Sequence, residues 1–131
     1  MKKVLITGTF DLIHPGHLYV ITQAKKLGTF LTIIVARDIN VKKIKGKHRP
    51  IIPENERAEV LAAVSSVDFI VKFSQPTPHQ LIKKIMPDVL VKGADWKSEK
   101  IVGSDLAKKV LTIPLVKGRS TTKIIKKLKN L

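Results

Sequence analysis

The chain has 131 residues, no cysteine, and 25 lysines and arginines against 10 acidic residues, which gives a formal charge of +15. This length fits one ordinary domain spanning residues 1–131, and the lack of cysteine excludes disulfides, thiolate zinc sites and thiol catalysis. No apolar run approaches the roughly 18 residues of a membrane span, and no signal-peptide pattern follows the N-terminus, so we expect a cytoplasmic protein without a membrane partner.

The positive charge predicts an anionic partner, because net charge governs association rather than fold. Only four of the 25 basic residues are arginine, six residues are aromatic, and no recognition module for nucleic acid is present. The charge alone does not identify the anion, but we expect no nucleic acid and keep a basic nucleic-acid-binding module as the non-enzymatic alternative.

Apolar runs alternate with helical periodicity along the whole chain. Strands are predicted at residues 4–6, 30–36, 68–73, 89–91 and 110–116, and helices at 18–27, 54–67, 77–86, 104–109 and from 121 onward. The polar, lysine-rich residues 38–53 are predicted to form one long functional loop. This alternation predicts an α/β fold, a Rossmann-like three-layer arrangement with a five-stranded parallel sheet.

Two helix starts carry capping signals. Residues 77–80, Thr-Pro-His-Gln, have the form of a capping box with proline in the first helical position. Ser120 is predicted to cap the last helix, which would turn Ile124, Ile125 and Leu128 inward and its lysines outward.

The residues best suited to chemistry follow the first strand. A glycine-containing turn there lets backbone N–H groups approach phosphate oxygens. His14 and His17 are three positions apart, so at a helix start both imidazoles can face one anion and stabilise charge during phosphoryl or nucleotidyl transfer. A zinc site lacks a third ligand with suitable spacing, so we predict no protein-bound metal.

The segment Gly8-Thr9-Phe10-Asp11-Leu12-Ile13-His14-Pro15-Gly16-His17 resembles the G-T-F-D-x-x-H-x-G-H signature of the cytidylyltransferase-like nucleotidyltransferases, the HxGH type. Arg119-Ser120-Thr121-Thr122-Lys123-Ile124-Ile125 resembles a second signature of that family, R/I-S-T-T-x-I, which begins the last helix and closes over the NTP phosphates. Together the two resemblances imply nucleotidyl transfer.

Further matches resemble the adenylyltransferase domain of ADP-heptose synthases, enzymes of lipopolysaccharide core biosynthesis. They comprise Thr77-Pro78 with Leu81-Ile82, residues 87–96, residues 101–104, and Lys45-Gly46 with Arg49-Pro50. The resemblance implies transfer of AMP from ATP to a sugar 1-phosphate, heptose phosphate-like, with release of pyrophosphate. A separate kinase would then supply the phosphorylated acceptor.

Two rival interpretations stay open. Glycerol-3-phosphate cytidylyltransferases, which use CTP, share the first motif, but in them an arginine follows the proline of the fifth strand where this chain has Leu115 after Pro114. Archaeal FMN adenylyltransferases are the other alternative, because Val35-Ala36-Arg37-Asp38 is similar to their second-strand segment.

The resemblance also implies a role for individual residues. Catalysis is assigned to His14, His17 and Lys45, with Lys42, Lys43 and Lys47 as competitors for the last role. Nucleotide binding is assigned to Gly8, Thr9, Phe10, Gly16, Lys92, Gly93, Asp95, Arg119, Ser120, Thr121 and Thr122. Substrate binding is assigned to Asp11, Arg37, Asp38, Arg57 and Trp96.

Some of these roles have alternatives. Asp11 is expected to orient either the loop or the acceptor, and Arg57 to read a phosphate, unless it forms a surface ion pair with Glu54. Asp95 and Trp96 are expected beside the base or its ribose, with core packing as the alternative for the tryptophan.

Mg²⁺ is expected to arrive with the NTP, and the resemblance implies a homodimer.

Overall fold

A computed structural model describes residues 1–93, 101–113 and 120–131. Its parallel sheet has the strand order β3-β2-β1-β4-β5 and consists of β1 (Lys3–Gly8), β2 (Phe30–Ala36), β3 (Phe69–Phe73), β4 (Val89–Gly93) and β5 (Lys109–Ile113). The helices are α1 (Pro15–Lys25), α2 (Asp38–Lys45), α3 (Glu54–Ala62), α4 (His79–Ile85) and α5 (Thr121–Lys129). The predicted α/β Rossmann-like fold is confirmed.

The central strands are apolar on both faces because helices cover both faces. Ile21 of α1 and Leu61 of α3 are fully buried in a cluster on one face of the sheet. Val41 of α2 and Ile82 of α4 are buried in a second cluster on the other face. This three-layer arrangement explains why β1 and β2 read as continuous apolar runs. None of the helices in the described ranges could cross a bilayer.

The strand order places a crevice beside β1. The chain builds β1, β2 and β3 outward in one direction and then returns to the other side of β1 with β4 and β5. In open parallel sheets, ligands bind where the order reverses, outside the carboxyl ends of the strands. The loop that follows β1 and the carboxyl end of β4 lie at that position.

The prediction of one long loop at residues 38–53 is wrong for its first half, which is α2. This helix has no apolar stripe, because Ile39 and Ile44 are 56% and 77% exposed while Asn40 and Val41 are buried. The Nδ2 atom of Asn40 donates a hydrogen bond to the carbonyl of Gln75 at 2.5 Å. A buried polar contact thus replaces the apolar periodicity that marks most surface helices.

The predicted helix at residues 104–109 is also wrong. Residues 101–106 form tight turns, with the Ser104 N–H donating to the Ile101 carbonyl at 3.1 Å and the Leu106 N–H to the Gly103 carbonyl at 2.9 Å. Gly103 has φ +89°, which favours glycine, and a Cβ there would approach Ile82 at 2.6 Å. Strand β5 spans Lys109–Ile113, and the predicted residues 114–116 lie outside the described ranges.

The end of α3, the start of α4 and the orientation of Leu128 in α5 differ from the predictions. Helix α3 ends at Ala62 because the chain continues in three-residue turns that still bring Val64 and Val67 to the core. Helix α4 begins after Pro78, and Thr77 accepts only the His79 N–H, at 3.4 Å, so no capping box forms. In α5 the predicted inward-facing Leu128 is 58% exposed.

Candidate functional site

The first motif loop, residues 8–14, leaves β1 with an unusual backbone. Phe10 and Leu12 have φ values of 57° and 50°, in the left-handed region that residues other than glycine rarely adopt. Phe10 is 6% exposed, and a Cβ at Gly8 would lie 2.9 Å from its ring. Such strain persists only where surrounding contacts hold it, and it concentrates at functional sites.

Both histidines of the motif cap the start of α1 through their Nδ1 atoms. The Gly16 N–H donates to Nδ1 of His14 at 3.0 Å, and the His14 N–H donates to Nδ1 of His17 at 3.1 Å. A ring nitrogen that accepts a hydrogen bond carries no proton, so in each neutral ring the proton is on Nε2. The backbone therefore selects the tautomer that makes Nε2 a donor.

His17 is held in this neutral form. Burial, followed by the neighbouring His14, lowers the pKa of His17 from its ordinary 6.5 to about 4, against an opposing effect of Asp11. The two imidazole centroids are 3.9 Å apart, and the His17 ring also lies 5.6 Å from the ring of Phe10. At neutral pH, His17 is thus an uncharged hydrogen-bond donor.

The carboxylate of Asp11 fastens residues 49–52 to the motif loop. Oδ2 accepts the Ile51 N–H at 2.8 Å and Arg49 Nε at 3.3 Å, and Oδ1 accepts the Ile52 N–H at 2.9 Å. The Asp11 side chain is 1% exposed. These contacts are those of a residue that orients the loop, one of the two roles expected for it.

The second signature reaches the same residue from the other end of the chain. The Thr121 hydroxyl donates to the backbone carbonyl of Asp11 at 2.5 Å. Ser120 caps α5 by accepting the Lys123 N–H at 3.1 Å, as predicted, and Thr122 is exposed beside it. The N-terminus of α5, a favourable place for an anion, therefore adjoins the first motif loop. Arg119 lies outside the described residues.

Arg57 is buried beneath the motif loop with a side chain that has no exposed surface. Its guanidinium donates to the carbonyl of Thr9 at 2.5 Å, the carbonyl of Ile52 at 2.9 Å and the carboxylate of Asp38 at 2.8 Å. The alternative of a surface ion pair with Glu54 is wrong, because Glu54 pairs with Arg37 at 2.8 Å. Contact between Arg57 and a substrate phosphate would require its surroundings to move.

Lys92 lies at the carboxyl end of β4, next to the motif loop. Its Nζ donates to the carbonyl and the hydroxyl of Thr7 in β1, at 3.0 and 3.2 Å. Gly93 ends the strand, and the predicted Asp95 and Trp96 lie outside the described residues. A partly buried cation is thus held at the crevice between β1 and β4.

The lysines proposed for catalysis are not distinguished by their positions. Lys45 is the last residue of α2, and it is exposed, as are Lys42, Lys43 and Lys47. Arg37 precedes the same helix, 47% exposed and paired with Glu54. All of these groups lie on α2 or directly beside it in the chain.

No group of three potential metal ligands comes together among the residues that the structure describes. Asp11, the carboxylate of the motif loop, already accepts three hydrogen bonds and is almost fully buried. The described side chains therefore do not fit a dedicated Mg²⁺ cage, and we derive no step through the ion.

Sequence reasoning missed the position of Arg49, which it noted only as part of a motif. The structure places this arginine against Asp11, with a side chain 16% exposed. No local pattern marks this role, because its partner Asp11 lies 38 positions away in the sequence.

A family model described as cytidylyltransferase-like matches residues 5–129. The "Bifunctional protein HldE" of a Nitratiruptor species is 45% identical over 130 residues, and that of Campylobacter concisus is 48% identical over 130 residues. Each alignment covers 98% of this chain and 28% of the relative. The chain thus spans little more than a quarter of the curated relatives that it matches.

Two solved structures resemble the fold. The lipopolysaccharide core biosynthesis protein from Thermoplasma volcanium has a TM-score of 0.74 and 29% identity, covering 91% of this chain and 99% of that one. A pantothenate synthetase from Thermus thermophilus has a TM-score of 0.63 and 15% identity, covering 88% of this chain and 56% of that one. The second likeness concerns the fold alone.

We predict that Arg57 is the most sensitive of these positions for stability. Arg57→Met should lower the free energy of unfolding by about 3 kcal/mol, because it leaves Asp38 and two partly buried carbonyls without their donor. Arg37→Met removes the same charge from an exposed pair and should lower it by less than about 1 kcal/mol. Urea unfolding measures both, and equal losses would contradict the buried role.

The lowered pKa of His17 predicts that the folded protein loses stability at pH values above those at which carboxylates ordinarily titrate. The unfolded chain binds a proton near pH 6.5 that folded His17 does not bind until about pH 4, so stability should fall as pH decreases through this window. Urea unfolding at about pH 7.5, 6 and 5 measures the decrease. His17→Asn keeps an acceptor for the His14 N–H but does not titrate, so an equally steep pH dependence in this variant would refute the assignment.

Proposed function

The chain belongs to the cytidylyltransferase-like family, and we propose that it transfers AMP from ATP to a sugar 1-phosphate of the heptose phosphate type, with release of pyrophosphate. The proposal covers the activity of the matched portion, since the relatives extend well beyond it. The resemblance of Lys92-Gly93 and its neighbours to ADP-heptose synthases supports the choice of ATP and sugar. The name of the Thermoplasma volcanium protein is consistent with that choice.

One contact carries the proposal: the hydrogen bond from Thr121 to the carbonyl of Asp11. It joins two signatures separated by 110 positions in the sequence. A helix start with a capping serine and two threonines, next to two imidazoles with fixed tautomers, offers several N–H and O–H donors to one polyanion. Such a cluster suits a triphosphate better than a single phosphate.

The chemistry that we propose is an in-line displacement. An oxygen of the acceptor phosphate attacks the α-phosphorus of ATP, the bond between that phosphorus and the α,β-bridging oxygen breaks, and pyrophosphate leaves with the bonding electrons. The attacking phosphate is ionised at neutral pH, so no strong general base is needed. The described residues therefore act by orientation and by stabilising negative charge.

His14 and His17 would donate from Nε2 to the α-phosphate and to the departing pyrophosphate, where charge develops. Backbone N–H groups of Gly8, Thr9 and Phe10 would add donors from the motif loop. Because Nδ1 of each ring accepts a backbone N–H and His17 is neutral at neutral pH, each imidazole can donate from Nε2 without a change of tautomer. This preorganisation is what lowers the barrier in such sites.

The remaining roles stay predictions. Lys45 is proposed to hold the acceptor and the α-phosphate, and Lys92 to contact the nucleotide. Mg²⁺ would arrive with the NTP and offset part of the negative charge of its phosphates. Arg37 and Asp38 are proposed on the acceptor side. A single domain, a homodimer and a cytoplasmic location complete the proposal.

The histidine roles can be separated from their capping role by substitution. His14→Asn and His17→Asn keep an oxygen near the position of Nδ1 for the backbone N–H but lose the Nε2 donor, so kcat should fall about 10²-fold with little change in thermal unfolding. His14→Ala and His17→Ala should lose activity and also about 1 kcal/mol of stability. Wild-type turnover in the asparagine variants would contradict the mechanism.

The substrates are tested by a matrix of pyrophosphate release, with ATP and CTP each offered a heptose 1-phosphate, another sugar 1-phosphate, glycerol 3-phosphate and FMN. We expect ATP with the heptose phosphate to give the highest kcat/KM. CTP with glycerol 3-phosphate as the best pair would overturn the proposed substrates but retain nucleotidyl transfer. No release with any pair, together with steeply salt-dependent binding to nucleic acid, would favour the basic binding module instead.

A further inference from the structure

We propose that Arg49 binds the phosphate group of the acceptor, an assignment that rests on the proposed function. Sequence resemblance gives phosphate reading to Arg57, but that side chain has no exposed surface and donates to Thr9, Ile52 and Asp38. Arg49 precedes Ile51 and Ile52 in the chain and keeps 16% of its side chain exposed. Arg57 therefore stabilises the interior of the site, whereas Arg49 can be reached by a substrate.

The geometry of Arg49 is that of an anchored guanidinium with an open fork. Its Nε donates to Oδ2 of Asp11 at 3.3 Å. Its two terminal amino groups make no hydrogen bond to any residue within 1–93, 101–113 or 120–131. A planar guanidinium held at one edge can present its remaining N–H groups to two oxygens of a phosphate monoester.

Asp11 links the guanidinium of Arg49 to the motif loop, which precedes His14 and His17. It precedes His14 by three residues, and its charge is close enough to His17 to influence the pKa of that imidazole. The carboxylate would repel a phosphate if it stood alone. Arg49 and the N–H groups of Ile51 and Ile52 offset that charge, since all three donate to it.

The same residue separates the two phosphate substrates. The backbone carbonyl of Asp11 is bound by Thr121 at the start of α5, whereas its carboxylate is bound by Arg49. If the N-terminus of α5 holds the NTP phosphates, Arg49 is available to a second phosphate, because it contacts the carboxylate of Asp11 and not its carbonyl. An in-line displacement needs the incoming phosphate and the leaving pyrophosphate on separate sides of the α-phosphate, so the acceptor is the substrate assigned to Arg49.

The neighbouring lysines are less suited to this task. Lys42, Lys43, Lys45 and Lys47 are all exposed, and no described residue holds their ammonium groups. Holding a flexible side chain in one geometry opposes binding, whereas Arg49 is already restrained by its contact with Asp11. The restrained cation therefore sets the position of the acceptor phosphate.

The test is a binding measurement that requires no turnover. Inorganic phosphate is titrated by calorimetry into the protein saturated with α,β-methylene-ATP, an analogue whose α,β bond is not cleaved by transfer. Arg49→Lys, which keeps the charge beside Asp11 but loses the fork, should weaken phosphate binding by about 10-fold or more, and Arg49→Gln should abolish it. The affinity for the analogue should change less than about twofold.

Lys108→Gln serves as the matched control for lost charge, because Lys108 pairs with Asp88 at the opposite, amino-terminal edge of the sheet. It should bind phosphate as the wild type does. Wild-type phosphate affinity in Arg49→Lys, loss of analogue affinity instead, or no phosphate binding by the saturated wild-type protein would each overturn the assignment. Should Arg49→Gln fail to fold, Arg49→Lys decides.

Failure of the proposed function gives a different result. In that case the wild-type protein releases no pyrophosphate with any acceptor, while Arg49-dependent phosphate binding is still measured. With active wild-type protein, Arg49→Lys should raise KM for the acceptor by about 10-fold or more and leave KM for ATP unchanged. A purely structural effect would raise both values together.

Discussion

The buried guanidinium of Arg57 is the interaction on which the rest of the site depends. It joins the motif loop at Thr9, the segment ending at Ile52 and the start of α2 at Asp38. A buried charge is tolerated only when it is paired and hydrogen-bonded. Moving any one of these three segments away would leave the guanidinium of Arg57 without one of its acceptors. The positive φ angles of Phe10 and Leu12 are maintained within this constraint.

The two histidines show how one side chain can combine helix capping with the charge-stabilising role proposed for it. Aspartate would also cap the start of α1, but it would put a negative charge beside the phosphates that the site is proposed to bind. An imidazole accepts the backbone N–H at Nδ1 and presents a proton at Nε2. Because burial keeps His17 neutral, the cap and the donor persist together at neutral pH.

The sheet and the location of the site could be predicted from local patterns. The apolar runs of β1 and β2 report burial on both faces, and the position of Gly8 directly after β1 places the motif at the carboxyl edge. The roles of the arginines could not be predicted in this way. Arg57 is buried because Asp38 and Thr9, 19 and 48 positions away, supply its acceptors, and no local pattern contains that information.

Helix α2 escaped prediction for a related reason. Its buried side chains include Asn40, whose amide bonds to Gln75 across 35 positions, while its isoleucines face outward. Periodicity measures only how apolar residues are distributed, so a helix fixed by a distant polar contact resembles a loop. The lysines that follow Asn40 then read as a solvated segment, which leaves Lys45 indistinguishable from its neighbours.

The large positive charge has a different meaning once the site is described. Arg57 and Asp38, Arg49 and Asp11, and Arg37 and Glu54 offset one another, and His17 is neutral. Within residues 1–93, 101–113 and 120–131, most lysines are exposed, including four on α5, and they carry most of the excess charge. Such charges attract polyanions over roughly one Debye length, about 10 Å, without selecting among them. We propose that selection comes from directed N–H and O–H donors at the motif loop, which would let a very basic chain favour a nucleotide over nucleic acid.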